Sequence, residues 1–468
     1  MPRSETLVPA RMRRVAIVAT QPRLRDALVE VAGAGTVELS GALAPAAGEA
    51  VDALRCLERT AAGSDGAPRP RLRRRATAVA ELERRGAREL LAGEVALRQR
   101  AERAVTHGGF ALLAGWTPQH ELGALRSRLS AVGASIVELA FPPTETPPSL
   151  LVPVRAARPF KLLVETYGAL PYGDIDPTPF AALIFFLMFG MMFGDAGDGL
   201  LLIAAALLLR RARHPRLSAA RRLWPFPAAA GASAVVFGLL YGEFFGPTGI
   251  VPALWLSPLD HATMLLAVGA AIGVVLLVGA HTLGVVNRWR ERGRRAALLA
   301  PSGLAGLLVL LGGVLLVVGL AYVPVLTAAG AVVGTLGALL LYAGFRAESG
   351  RGVEGVLQRL IELLDALLRT AANVLSFTRL AAFGLMHAAI GGVVVDGAGA
   401  LAGGAAGYLA AALLFGVGSA LAFALEALIV GVQALRLEYY ELFSRVFVEE
   451  GRPFRPWSIP LLADEEAP

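Results

Sequence analysis

Residues 376–390 read SFTRLAAFGLMHAAI, and the arginine inside this otherwise apolar run decides how the chain is organised. Arg379 lies about eight residues into a hydrophobic segment at 371–395, too deep for its side chain simply to reach the membrane surface. Placing an arginine near a bilayer centre costs at least about 2.5–3.5 kcal/mol on insertion scales, so such a residue needs polar company and a task.

The surroundings of this stretch are membrane-like. The chain has 468 residues, of which 55% are hydrophobic and 17% charged, with a mean hydropathy of +0.59. These values are too apolar for an ordinary soluble protein and too charged for a membrane domain alone. The mismatch resolves when the chain is divided: residues 1–178 carry frequent Arg and Glu, whereas residues from 179 are dominated by Leu, Ala, Val, Gly and Phe. The expected fold is an α+β cytosolic N-terminal domain (1–178), an all-α polytopic membrane domain (179–441) and a C-terminal cytoplasmic tail (442–468). The basic start MPRSETLVPARMRRVAIVAT reads as a short tail and a first strand, not as a cleaved leader.

Eight apolar spans are expected, at about 179–193, 196–210, 225–247, 262–286, 302–321, 325–344, 371–395 and 405–437. Arginines crowd the connections RRARHPRLSAARR (210–222) and NRWRERGRR (287–295), while 248–261, 322–324 and 396–404 hold neither Lys nor Arg. This alternation puts the arginine-rich loops and both termini in the cytoplasm. The segment 352–371 has helical spacing of its apolar residues and is expected to be an amphipathic surface helix leading into the seventh span.

The net charge of +7 does not indicate nucleic-acid binding, because the densest arginine groups outside the first domain sit between apolar spans. The single cysteine, Cys56, excludes an intrachain disulfide and a cysteine-based metal cluster. No phosphate loop of the GxxxxGK[ST] type, HExxH, CxxC or nucleophile elbow occurs, so the chain is not expected to hydrolyse nucleotide itself. No cofactor and no metal site are expected.

In the first domain, strands are expected at 13–20, 34–41, 108–118 and 134–140, and helices at 22–33 and 118–132. Residues 61–71 read as a linker, and 72–105 as one long charged helical arm.

Polar residues within the apolar part gather in the last two spans. The seventh holds Ser376, Arg379 and His387, and the eighth holds Glu426, Gln433 and Arg436. On a helix, Arg379 and His387 are separated by about 12 Å of rise at similar azimuth. A guanidinium stays protonated, whereas His and Glu titrate, so the set is one fixed cation among exchangeable groups, the chemistry of a proton path. Isolated polar residues in membrane helices often only lock packing; two helices that both carry them favour a path. Arg436, next to LEYYELFSR, reads equally as a membrane-exit residue. Between the first two spans, Asp195 and Asp198 face the outer mouth or cap the second helix, Glu243 lies near a membrane end, and Gly190 and Gly194 form a small-residue packing face.

With these residues in place the chain resembles subunit a, also called subunit I, of the rotary vacuolar/archaeal-type ATPases. The resemblance is carried in order by GGFALLAGWTP, RPFKLLVETYGALPYGDIDPTPF, FGMMFGDAGDGLL, VFGLLYGEFFG, NVLSFTRLAAFGLMHAAI and GVQALRLEYYELFSRVFVEEGRPFRPW. It implies a cytosolic domain followed by eight membrane helices that form two aqueous half-channels against a rotating proteolipid ring. It assigns the essential arginine to Arg379, the histidine eight residues on to His387, the acidic residue of the last span to Glu426 and the arginine of the LRL motif to Arg436, with Gln433 at a polar position. The implied partners are the proteolipid ring, peripheral-stalk subunits, a central-stalk subunit linked to the ring and, indirectly, the catalytic head, all at a bacterial cell membrane. The sequence departs from the family in its shorter cytosolic domain and in Asp198, which stands where an aromatic residue or histidine is usual. A secondary transporter would use the same buried groups but predicts an internal repeat among the spans, which is not evident. A structural scaffold without transport would tolerate an apolar replacement of Arg379.

Overall fold

The computed structural model describes residues 9–41, 48–60, 68–140, 145–150, 158–168, 171–172, 174–213, 218–346, 350, 352–447 and 451–462. Most of the expected linker (61–67), parts of the proline-rich stretch at 141–144 and 151–157, Arg216 and the last six residues lie outside the described residues. Two compact units emerge. One comprises residues 9–152, 170–172 and 451–468, and the other 1–8, 153–169 and 173–450.

The first unit is α+β. Its elements are β1 (Met12–Thr20), α1 (Leu24–Ala34), β2 (Glu38–Leu39), α2 (Glu49–Thr60), α3 (Val79–Arg84), α4 (Arg88–Ala101), β3 (Val105–His107), β4 (Phe110–Pro118), α5 (Leu122–Ala131) and β5 (Ser135–Glu138). The sheet runs β2-β4-β1-β5, with β3 also on β4, and every pairing is antiparallel. Register is set by alternation: Ile17 sits opposite Leu113 on one side and Ile136 on the other, and all three are buried. Leu28 and Val31 of α1 and Leu125 and Leu129 of α5 close the core over that face.

Two features depart from the sequence expectation. The 72–105 stretch is two helices, α3 and α4, and not one continuous arm. The chain turns at Gly86, whose φ of 64° lies in the left-handed region that glycine tolerates. Leu91 and Leu97 of α4 are buried, and the Glu94 carboxylate pairs with Arg25. The helix therefore packs on its own domain. Nor is the C-terminal segment a free tail. The backbone N–H groups of Trp457 and Ile459 donate to the carbonyls of Val37 (2.8 Å) and Ala32 (3.2 Å), and Leu462 N–H donates to Leu72 (2.9 Å). Ile459 enters the sheet's core, and Arg452 pairs with Glu38 at 2.9 Å.

The second unit is helical: α6 (Lys161–Tyr167), α7 (Thr178–Met192), α8 (Ala196–Arg211), α9 (Ser218–Arg221), α10 (Pro225–Tyr241), α11 (Ala262–Arg292), α12 (Arg294–Leu299), α13 (Leu304–Ala321), α14 (Pro324–Phe345), α15 (Val353–Ser376), α16 (Thr378–Leu401), α17 (Gly404–Arg436), a π-helical turn (Leu437–Phe443) and α18 (Ser444–Val446). Among the described residues, five helical stretches are long and apolar enough to cross a membrane: Ala262–Glu291, Arg294–Ala321, Pro324–Phe345, Val353–Leu401 and Gly404–Val446. Thr178–Met192 and Pro225–Tyr241 are apolar but shorter. The chain is accordingly a multi-pass membrane protein.

Close approach of small residues organises the bundle around α7, α8 and α10. A Cβ on Gly238 would lie 2.1 Å from the backbone N of Ala196, so only glycine lets α10 meet the start of α8. The helix pair α15 and α16 is interrupted at Phe377, whose wholly buried ring lies against Gly273 of α11. Before that break, α15 leaves Leu357, Leu360, Ile361, Leu364 and Leu368 exposed on an amphipathic surface.

Candidate functional site

Helices α16 and α17 run antiparallel across a short connection, and this register pairs their polar residues. The Glu426 carboxylate accepts from Nδ1 of His387, and one helical segment away the Arg379 guanidinium reaches the side-chain oxygen of Gln433 at 3.5 Å. Residues Leu380, Ala381, Gly384, His387 and Ala388 form the buried stripe of α16, and Glu426, Val430 and Ala434 that of α17. The spacings of three, four and eight residues explain why one face of each helix carries both packing and polar groups.

Around His387 the second unit gathers four carboxyl side chains. Asp195 is fully buried, Glu243 and Glu426 are each 3% exposed, His387 5% and Asp198 6%. The Nε2 atom of His387 stands 3.7 Å from Oδ2 of Asp195 and 3.8 Å from Oε2 of Glu243, beyond direct hydrogen bonding. Asp195 is the N-cap of α8: its Oδ1 accepts from the backbone N–H of Asp198 (2.9 Å) and of Phe245 (2.9 Å), and its Oδ2 from that of Gly246 (2.7 Å). This return of the chain after α10 also brings Glu243 inward, with its carbonyl accepting from Ala196 N–H at 3.0 Å. The turn uses left-handed backbone at Gly242 and at Phe245, whose φ of 50° is a strained conformation for a bulky residue. A small cavity opens beside the cluster, lined by Asp198, Phe245, His387, Gly391, Ser419 and Glu426. Among the described residues, Oδ1 of Asp198, Oε2 of Glu243, Oε1 of Glu426 and Nε2 of His387 have no hydrogen-bond partner. Unpartnered buried polar atoms around a polar cavity are the arrangement of a site for water or ions.

The second cluster surrounds Arg379. The carboxylate of Glu441 lies within electrostatic reach of Ser376, Arg379 and Arg436. Glu441 is buried and Glu438 wholly so, with neither carboxylate oxygen of Glu438 partnered among the described residues. Both sit on the π-helical turn after α17, a local geometry that often marks functional sites. Arg436 itself is exposed. Sequence reading overlooked Glu438 and Glu441 because LEYYELF resembles a membrane exit; their spacing of three, facing inward beside Ser376, was the available signal.

The remaining singled-out residues are packing elements in the structure. A Cβ on Gly190 would stand 2.1 Å from Oγ of Ser233 and 2.8 Å from its carbonyl, and one on Gly194 would stand 2.6 Å from the Tyr241 ring. These glycines let α10 lie against α7 and the turn before α8. Thus Asp195 and Glu243, read from sequence as residues near a membrane end, face the same imidazole that Glu426 holds.

These features define a multi-pass membrane protein that also carries an α+β unit, with a buried carboxylate–histidine cluster and, one helical segment away, the Arg379–Gln433 pair. Residues 104–223 match the V-type ATPase 116kDa subunit family. The chain is 29% identical over 371 residues to the A-type ATP synthase subunit I of Pyrococcus horikoshii, covering 75% of this chain and 54% of that protein. It is 31% identical over 349 residues to the same subunit of Aeropyrum pernix, covering 64% of this chain and 50% of the relative. It is also 42% identical over 144 residues to V-type ATP synthase subunit I 2 of Treponema pallidum, covering 28% and 32% of the two chains. The chain is similar to these subunits, and it spans about half the length of the curated relatives it matches.

Proposed function

We propose that the chain is the ion-translocating stator subunit of a rotary A/V-type ATPase, working against a ring of small proteolipid subunits. The observation that carries this reading is the facing of two polar pairs, Arg379 with Gln433 and His387 with Glu426, across α16 and α17. In this reading α7, α8, α10, α11, α13, α14, α16 and α17 make eight crossings, with both termini and the arginine-rich loops in the cytoplasm of a bacterial cell. Ser376, Glu441, Glu438 and Arg436 then lie toward the cytoplasmic side of Arg379. Asp195, Asp198, Glu243, His387 and Glu426 lie toward the outer side.

The chemistry follows from the fixed charge. A guanidinium does not release its proton, so Arg379 blocks a direct leak between the two sides. When a ring carboxylate passes it, the cation stabilises the ionised form and drives the proton off. The proton leaves or arrives through titratable groups on either side: the Glu441 carboxylate toward the cytoplasm, and the His387–Glu426 pair with Asp195, Asp198 and Glu243 toward the outside. The soluble unit is the surface for peripheral-stalk subunits, while a central-stalk subunit joins the ring to the catalytic head. The chain itself hydrolyses no nucleotide.

The rotary reading is tested by ATP-driven proton uptake in vesicles carrying the assembled complex, set against vesicles carrying this chain alone. Uptake confined to the assembled complex supports it. A secondary transporter predicts ion movement without any ATPase partner and dependence on a cosubstrate, and that result would overturn it.

A further inference from the structure

We propose that Asp195, Glu243 and His387 form a binding site for a divalent transition-metal ion of the zinc class. One donor atom from each of the three buried residues lies within 4.8 Å of the other two. A tetrahedral ion with bonds of about 2.0–2.1 Å holds its donor atoms about 3.3–3.4 Å apart. The observed 3.7 Å and 3.8 Å from Nε2 to the two carboxylates need a contraction of only a few tenths of an ångström.

Three further observations point to a metal in place of simple packing. First, Nε2 of His387 and Oε2 of Glu243 are unpartnered among the described residues, and both side chains are more than nine-tenths buried. Second, the supporting groups are those a metal site uses. Glu426 holds Nδ1 of His387, so Nε2 is the ring nitrogen that faces the two carboxylates and would coordinate once its proton is displaced, and three backbone N–H groups fix Asp195. Third, four carboxyl groups surround one imidazole, while Arg379 lies about two helical turns away along α16.

The donor set selects the ion. One imidazole nitrogen with two carboxylates suits zinc and its neighbours. Magnesium and calcium require about six or more oxygen donors and disfavour the imidazole. Binding stands on this geometry alone. Its consequence, that an occupied site stops outer-side proton transfer through His387 and inhibits pumping, rests on the rotary reading.

The test uses the full chain purified in detergent, stripped with a chelator, and titrated with zinc in competition with a chromogenic indicator. Cobalt absorption serves as an independent report of coordination. One zinc per chain is expected for the wild type. Glu426→Gln should weaken binding about 10–100-fold through loss of support to the imidazole, and His387→Ala and Glu243→Gln by at least as much. Asp52→Asn, at an exposed carboxylate of the soluble unit, should change nothing. If His387→Ala does not fold, Glu243→Gln, which preserves side-chain shape, carries the test. No stoichiometric zinc on the wild type, or wild-type affinity in folded Glu243→Gln, would overturn the site. Zinc binding without inhibition of pumping would leave the site intact and count against the transport role of His387.

Discussion

Removing the Asp195 carboxylate separates a structural role from a chemical one. Its two oxygens accept three backbone N–H groups, from Asp198, Phe245 and Gly246, at 2.7–2.9 Å. Asp195→Ala leaves all three buried donors without that acceptor. At about 1–3 kcal/mol for each unsatisfied group, and with some relief from no longer burying a carboxylate, the net loss is about 3 kcal/mol or more. Asp195→Asn keeps the oxygen that serves Asp198 and Phe245 but turns an NH2 toward Gly246, so one bond of the three is lost, at about 1–2 kcal/mol. The assay is unfolding of the full chain in mixed micelles by added denaturing detergent, followed by tryptophan fluorescence, to which Trp224, Trp255 and Trp289 of the membrane unit contribute. The expected order is wild type, then Asn, then Ala, with the two variants separated by about 2 kcal/mol. An alanine variant within about 0.5 kcal/mol of wild type, or an asparagine variant as unstable as alanine, would refute the hydrogen-bonded anchor.

Three other outcomes are expected. Ile459→Ala should destabilise the α+β unit of the full chain by about 2–4 kcal/mol, because the C-terminal segment fills its core; protease sensitivity of the unit checks this, and unchanged digestion would contradict it. Glu441→Gln in the assembled complex should slow proton uptake several-fold while preserving subunit content, since the amide keeps the size and shape of the buried side chain but cannot carry a proton; wild-type uptake would remove Glu441 from the path. Cysteine labelling in intact cells should find 248–261 and 396–404 reactive from outside and 287–295 protected, and labelling of 287–295 from outside would break the proposed topology.

Much of this arrangement is legible in the sequence, for physical reasons that also explain what is not. Arg379, His387 and Glu426 stand out because any ionisable residue in an apolar run is costly, and helical spacing alone puts Arg379 and His387 on one face. The strands at 13–20 and 108–118 follow from apolar runs bounded by turns, and the structure holds them as β1 and β4. Asp195 was legible as a cap of the second apolar helix, and the structure makes it the N-cap of α8, but nothing local reveals that the turn after α10 folds back through Gly242 and Phe245 to bury it together with Glu243. Glu438 and Glu441 were hidden by the aromatic, mixed character of LEYYELF, which a π-helical turn converts into a buried face. The C-terminal segment has no periodicity: Trp457, Ile459 and Leu462 donate backbone bonds to Val37, Ala32 and Leu72, residues hundreds of positions earlier that no local pattern records. The break of the charged arm at Gly86 depends on the burial of Leu82 and Leu91, which is a tertiary effect.

The central claim, that Arg379 is the fixed cation separating two paths, is tested most directly by ATP-driven proton uptake in vesicles bearing the assembled complex with Arg379→Ala and Arg379→Lys. Subunit content is verified by gel in each preparation. Arg379 is only partly buried and reaches the side-chain oxygen of Gln433 at 3.5 Å, so its removal should leave assembly intact. The account predicts that uptake is abolished in Arg379→Ala and lost or severely impaired in Arg379→Lys, whose ammonium, unlike guanidinium, can release its proton when desolvated. Wild-type uptake by a fully assembled Arg379→Ala complex would contradict it.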